Sequence, residues 1–88
     1  MSKLIEEVVV NNNEGLHARP AALFVQIANK FDSSVKIEKD GLIVDGKSII
    51  ALLSLGLTKG TKIKLILEGE DASQAFSELK EFLVKEDD

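Results

Sequence analysis

The stretch Gly15-Leu16-His17-Ala18-Arg19-Pro20-Ala21 separates a run rich in β-branched residues from a run with helical spacing. It holds the only histidine, the only arginine and the only proline of the 88 residues. Proline favours the first turn of a helix, because the N–H that it lacks would have no partner there. The sequence therefore predicts a helix that begins near Ala18, with His17 at or just before its start.

The residues at this helix start suit phosphate chemistry. The first N–H groups of a helix lack intrahelical partners and carry the positive end of the dipole, so they bind phosphate. A neutral imidazole is a nucleophile that can carry a phosphoryl group, and Arg19 adds a planar, permanent charge for the phosphate oxygens. We therefore hypothesise that His17 is transiently phosphorylated, with Ala18 and Arg19 binding the phosphoryl group. The alternative is a surface or capping histidine without chemistry.

Hydrophobic periodicity on either side of this stretch predicts the element order βαββαβα. Strands are predicted over 4–10, 35–38, 42–44 and 62–68, and helices over 18–31, 48–55 and 72–83. The order and the alternation favour an α+β fold, a four-stranded antiparallel sheet with the helices covering one face. A ferredoxin-like arrangement would use nearly the same order, so the residues alone leave the strand order open.

Short-range signals mark the ends of several elements. Asp40-Gly41 predicts the turn of a β-hairpin. Ser48 and Gly56 stand where the N-cap and the C-terminal glycine of the second helix belong. Asp71, with Gln74 three residues later, predicts a capping box at the last helix.

Composition limits the class of protein. The chain has 88 residues, of which 44% are hydrophobic, and we expect one domain over 1–88. It has no cysteine and one histidine, which argues against a disulfide framework or a histidine metal cluster, and we expect no cofactor. The net charge of −4 and the scattered basic residues argue against nucleic-acid binding. No apolar run approaches the roughly 20 residues of a membrane span, so we expect a cytoplasmic protein without membrane insertion.

One motif matches a pattern of a different class of protein, the nucleotide-binding proteins. Residues 41–48 match the nucleotide-binding pattern GxxxxGK[ST] letter for letter. That pattern needs a strand before the loop, whereas here the loop positions are Leu, Ile and Val, which favour a strand themselves. We interpret the match as a coincidence.

Two motifs resemble HPr, the histidine-containing phosphocarrier family of the bacterial phosphoenolpyruvate:sugar phosphotransferase system. The stretch 15–21 is similar to the family's active-site signature, and GKSIIALLSLGL at 46–57 is similar to its regulatory-serine helix. The resemblance covers essentially the whole chain. It implies an open-faced β-sandwich with strand order 1-4-2-3 and three helices on one face.

The resemblance also implies a stoichiometric carrier rather than an enzyme. His17 would accept a phosphoryl group from enzyme I, on Nδ1 by analogy, and donate it to the IIA domain of sugar permeases. The carrier is expected to be a monomer. Glu14 stands where relatives often have Asn, Ser or Thr, and its carboxylate would either oppose the phosphate or lie solvated at the rim. We favour the solvated position.

Two interpretations of Ser48 stand side by side. It is a good N-cap, which needs no further role. The resemblance implies phosphorylation by an HPr kinase/phosphorylase and binding to a catabolite-control transcription factor. A phosphate at a helix start is stabilised, so we expect weaker partner docking rather than unfolding.

The short helix that follows Ser48 has more apolar residues than it can bury. We expect Leu52 and Leu55 in the core, and exposed aliphatic side chains beside His17 that dock onto partner proteins. The predicted partner-binding residues are Ala22, Lys47, Ile49, Ile50 and Leu53.

Other functions remain open at this point. The chain could be a regulatory binding module that acts through phosphorylated Ser48 as a corepressor. It could also be a paralogue in a nitrogen-regulatory or dihydroxyacetone-kinase phosphorelay. A free-standing hydrolase is the least supported, because the chain has no second histidine, no thiol and no evident acid–base pair near His17.

Overall fold

The computed structural model describes residues 2–12 and 18–85. Its elements follow the predicted order, and the first helix begins at Ala18 as predicted. They are β1 (Lys3–Val9), α1 (Ala18–Ala28), β2 (Ser34–Lys39), β3 (Leu42–Asp45), α2 (Ile49–Ser54), β4 (Lys62–Glu68) and α3 (Ala72–Val84).

The four strands form one antiparallel sheet in the order β1-β4-β2-β3. The strand β4 lies inside the sheet, where Ile66 pairs with Ile5 of β1 on one side and Lys36 of β2 on the other. This order decides the question that the residues alone left open, and it confirms the one implied by the HPr resemblance.

One face of the sheet and the three helices enclose the core. Because strand side chains alternate, Ile63, Leu65 and Leu67 of β4 all face the helices and are at most 2% exposed. Each fully buried side chain of this kind stabilises the fold by roughly 1.5–3 kcal/mol. The other buried apolar residues are Val8, Val10, Ala21, Phe24, Val25, Ala28, Val35, Ile37, Leu52, Leu55, Leu57, Ala72, Ala75, Leu79 and Leu83.

The first helix ends earlier than its apolar spacing predicts. It stops at Ala28, and the amides of Lys30 and Phe31 bond to carbonyls three residues back, at 3.1 and 3.2 Å, as in a tightened last turn. Phe31 still packs against the core from this turn, which is why the helical spacing runs past the end of the helix.

Most of the short-range signals are confirmed. Asp40 and Gly41 have φ of 51° and 87°, as the tight turn between β2 and β3 requires. Residues Leu42–Asp45 of the nucleotide-binding pattern form β3, so this backbone is a strand and not a phosphate-binding loop. Ser48 is the N-cap of α2, and Gly56 follows its C-cap with φ of 61°.

The capping-box prediction for Asp71 is wrong. Asp71 occupies the N-cap position of α3, but its side chain makes no cap hydrogen bond. Its carboxylate instead accepts from the backbone N–H groups of Asp32 at 2.9 Å and Ser33 at 3.0 Å, and from the Ser33 hydroxyl. The side chain therefore fastens the loop between α1 and β2 to the start of α3.

Candidate functional site

The start of α1 carries the residues that the sequence assigned to phosphate. Ala18 and Arg19 are both exposed there. Pro20 lies in the first turn, where an N–H would have no intrahelical acceptor, so its lack of one costs no hydrogen bond. The N–H groups of this turn have no partner one turn earlier in the helix. His17 lies outside the described residues, so the position of its ring stays a prediction.

Arg19 is an exposed cation without a neutralising carboxylate from the described part of the chain. Within residues 2–12 and 18–85, Lys30, in the turn that follows α1, pairs with Glu78 of α3 at 2.5 Å, far from Arg19 at the other end of the helix. A guanidinium in this position can bind phosphate oxygens with two parallel N–H groups.

The exposed aliphatic residues of α2 lie where the sequence predicted them. Ile49, Ile50 and Leu53 are 40%, 77% and 39% exposed, whereas Leu52 is fully buried and packs in the core. The helix α2 packs against α1, the helix that carries Arg19. We call Ile49, Ile50 and Leu53 the apolar patch.

Sequence reasoning missed Leu23 as a candidate contact residue. It is 41% exposed on α1, which packs against α2. The signal was present, because Leu23 falls outside the buried stripe of Ala21, Phe24, Val25 and Ala28. A large apolar residue off the core stripe of an amphipathic helix is a candidate contact residue.

Lys47 and Ala22 are less available than the apolar patch. Both are half-buried, and the Lys47 ammonium donates to the carbonyl of Phe31 at 2.8 Å. That bond ties the residue before the α2 cap to the turn at the end of α1. The partner-binding role of Lys47 and Ala22 stays a prediction.

Ser48 has the geometry of an N-cap. Its backbone is extended, with φ of −116° and ψ of 117°, and its Oγ accepts from the Ala51 N–H at 3.2 Å. The hydroxyl is half-buried at the start of α2. A phosphate on this oxygen would lie next to the same N–H groups, so modification and capping are compatible.

The opposite end of α1 is acidic. A cleft of about 720 Å³ opens there, lined by the carboxylates of Asp32, Glu68, Glu70 and Asp71. The Ser33 hydroxyl and the Asp32 N–H, together with further backbone N–H groups, hold the pKa of Asp71 below its ordinary range.

No group of three potential metal ligands is found among the described residues. In the same part of the chain, no helix has the length and apolar character needed to cross a bilayer.

Comparison with known proteins places the chain in a family. A family model described as the PTS HPr component phosphorylation site matches residues 5–85. The HPr-like protein Crh of Bacillus subtilis (strain 168) is 48% identical over 81 residues, which cover 92% of this chain and 95% of that protein. The crystal structure of the phosphocarrier protein HPr from Bacillus anthracis superposes with a TM-score of 0.90 at 42% identity, covering 94% of this chain and 99% of that one.

A third similarity concerns assembly. A crystal structure of B. subtilis Crh, described as a dimer with a swapped domain, matches with a TM-score of 0.74 and 51% identity over 81% of this chain and 82% of that one. The expected monomer is therefore not general among relatives. The match of the family model across most of the chain, together with these relatives, confirms the resemblance: the chain belongs to the HPr family of phosphocarrier proteins.

Proposed function

We propose that this protein is the phosphocarrier of a sugar phosphotransferase system, taking a phosphoryl group from enzyme I on His17 and passing it to the IIA domain of a sugar permease. The exposed Arg19 at the start of α1, which no described carboxylate neutralises, carries this proposal. His17 stands directly before that helix in the chain. The whole span 1–88 acts as one cytoplasmic carrier domain.

The transfer uses the residues as follows. The lone pair of a His17 ring nitrogen, Nδ1 by analogy, attacks the phosphorus of the phosphohistidine of enzyme I. The new N–P bond forms as the N–P bond of enzyme I breaks, and that electron pair returns to the imidazole of enzyme I. The N–H of Ala18 and the guanidinium of Arg19 stabilise charge on the phosphoryl oxygens. In the second transfer, the same N–H and guanidinium groups stabilise the phosphoryl oxygens while the phosphoryl group passes from His17 to the IIA domain.

The direct test is phosphorylation with enzyme I and phosphoenolpyruvate. We expect one acid-labile phosphate on the wild type and none on His17→Ala. Ser48→Ala is the matched control and should be labelled like the wild type. Equal labelling of His17→Ala would overturn the proposal. A panel of IIA domains of sugar, nitrogen-regulatory and dihydroxyacetone-kinase type then identifies the branch, and we expect the fastest transfer to a sugar IIA domain.

A second function is favoured by the similarity to Crh, whose solved structure is described as a catabolite repression protein. In this role Ser48 is phosphorylated by an HPr kinase/phosphorylase, and the product binds a catabolite-control transcription factor. Its signature is an acid-stable phosphate that Ser48→Ala lacks and His17→Ala keeps. Because the two phosphates differ in acid stability, a single labelling experiment separates the two functions.

We also propose that the carrier works as a monomer, since each partner must reach the same surface of one small domain. The swapped dimer of Crh is the contrary precedent. Light scattering behind a size-exclusion column measures the mass directly. A mass of two chains at micromolar concentration would contradict the monomer.

A further inference from the structure

The chain that leaves β1 runs directly onto the end of α3. After β1, Val10 still pairs with the chain before β4, through bonds to Thr61 and Gly60 of 2.9 and 2.7 Å. The next two residues, Asn11 and Asn12, then turn their hydrogen-bond donors toward the carboxyl end of α3. Residues 13–17, with His17 last, lead from there to α1.

Asn11 and Asn12 supply a donor to each carbonyl at the end of α3. The Asn11 N–H donates to the carbonyl of Leu83 at 2.8 Å, and its Nδ2 donates to that of Val84 at 3.0 Å. Asn12 Nδ2 donates to the carbonyls of Phe82 at 3.2 Å and Lys85 at 3.3 Å. The last carbonyls of a helix have no intrahelical partner, so these four bonds replace a glycine C-cap. We call this set of bonds the asparagine clasp.

The side chain of Asn12 is the more constrained member of the clasp. It is only 2% exposed, and one Nδ2 serves two carbonyls. Its Oδ1 is also buried and has no partner among the described residues. A buried amide oxygen without a hydrogen-bond partner is costly, so a residue of this kind is typical of a place where position matters more than stability.

We infer that Asn12 is a positioning residue for phosphoryl transfer, and that Asn11 assists it. The inference rests on the proposed carrier function of His17. Residues 13–17 join Asn12 to Ala18, so the clasp fixes the entry of this segment as α1 fixes its exit. His17 is therefore joined by five peptide bonds to a residue that the clasp holds. Misplacement of a reacting group by about 1 Å can cost on the order of 100-fold in rate.

The test compares Asn12→Ala and Asn11→Ala with Ser33→Ala. Ser33 is a matched control because it is 1% exposed and its hydroxyl bonds to the opposite end of α3. Three quantities are measured: kcat and KM for phosphorylation by phosphorylated enzyme I, the urea midpoint, and the ring-proton NMR signals of the single imidazole. The NMR measurement needs no partner, so it tests the clasp even if enzyme I does not phosphorylate the protein.

For Asn12→Ala we expect kcat to fall by about 10-fold or more with KM changed by less than about threefold, and the His17 ring signals to shift. Asn11→Ala should show a smaller change in the same direction, because only its exposed side-chain bond is lost. Ser33→Ala should lower the urea midpoint without moving kcat or the ring signals. Wild-type kcat and ring signals in Asn12→Ala would overturn the inference, as would an equal fall of kcat in Ser33→Ala. Should Asn12→Ala not fold, Asn11→Ala decides alone, by its kcat and its His17 ring signals.

Discussion

The two ends of α3 each fasten one of the loops that flank α1, the first through a side-chain carboxylate and the second through backbone carbonyls of the helix. At the start of α3, the Asp71 carboxylate accepts from the N–H groups of Asp32 and Ser33. At its end, the helix carbonyls accept from Asn11 and Asn12. The first loop leads into β2, and the second leads into the segment that carries His17.

This contrast separates stability from function within one small domain. The end of the molecule with Asp71 is rich in carboxylates, which suit the positive end of the α3 dipole and repel phosphate. The end with Arg19 presents a cation and an open helix start. Substitutions at the Asp71 end should therefore change stability alone, and substitutions at the Arg19 end should change transfer alone.

The largest effect on transfer is expected from Arg19→Ala. Removing the charge that stabilises the phosphoryl oxygens should lower kcat by about 100-fold, and Arg19→Lys should retain part of the rate. Because Arg19 is exposed, the free energy of unfolding should change by less than about 0.5 kcal/mol. Rapid-quench kinetics with phosphorylated enzyme I measure the rate. A loss of under about threefold would remove Arg19 from the site.

The largest effect on stability is expected from Gly69→Ala. Gly69 has φ of +148°, and an added Cβ would lie 2.7 Å from the Cα of Ser33, so backbone strain and a clash combine. We expect a loss of about 3 kcal/mol in urea unfolding, with the transfer rate of the folded fraction unchanged. Gly41→Ala is the control, since its φ is +87° but nothing lies within 4 Å of the new atom. An equal loss in both variants would show that the contact with Ser33 does not matter.

A smaller effect is expected at the apolar patch. Ile50→Glu places a charge on a side chain that is 77% exposed, and should raise the KM for enzyme I by about 10-fold while kcat and stability stay the same. Ile5→Glu is the control, because Ile5 is also exposed, at 53%, and lies on the sheet face away from the helices. If Ile5→Glu raises KM as much, the effect is one of net charge rather than of a docking surface.

The smallest effect is expected from Asp71→Asn, and it depends on pH. The pKa of Asp71 lies below its ordinary value of 3.8, so its carboxylate adds stability above that pH and loses it as the pH falls toward the lowered pKa. The urea midpoints of wild type and variant should therefore differ at neutral pH and converge as the pH falls through the lowered pKa of Asp71. Transfer at neutral pH should be the same in both. A difference that is constant with pH would contradict this account.

The sequence predicts well what depends on neighbours along the chain. The start of α1 at Ala18, which Pro20 signals, the Ser48 cap and the Asp40 turn depend on local signals, and all three hold in the structure. The capping-box prediction for Asp71 fails because its carboxylate bonds to Asp32 and Ser33, which are 39 and 38 residues away. A local capping pattern cannot show that distant donors compete for the side chain.

The asparagine clasp escapes sequence reasoning for the same reason. Asn11 and Asn12 fit a loop, and their acceptors on α3 are 70 to 73 residues distant. Only the packing of α3 against β1 brings them together. The chemistry of His17 and Arg19 could be predicted because residue types limit it, whereas the residues that position them depend on tertiary contacts.

The strand order also has a consequence for biosynthesis. The first strand to leave the ribosome, β1, pairs within the sheet only with β4, where Lys3 meets Glu68. Its pairing edge stays unpaired until β4 has been synthesised, so the sheet closes only after α1, β2, β3 and α2 have been translated. Long-range pairing of this kind slows folding, so we expect cotranslational folding to be late and abrupt rather than stepwise.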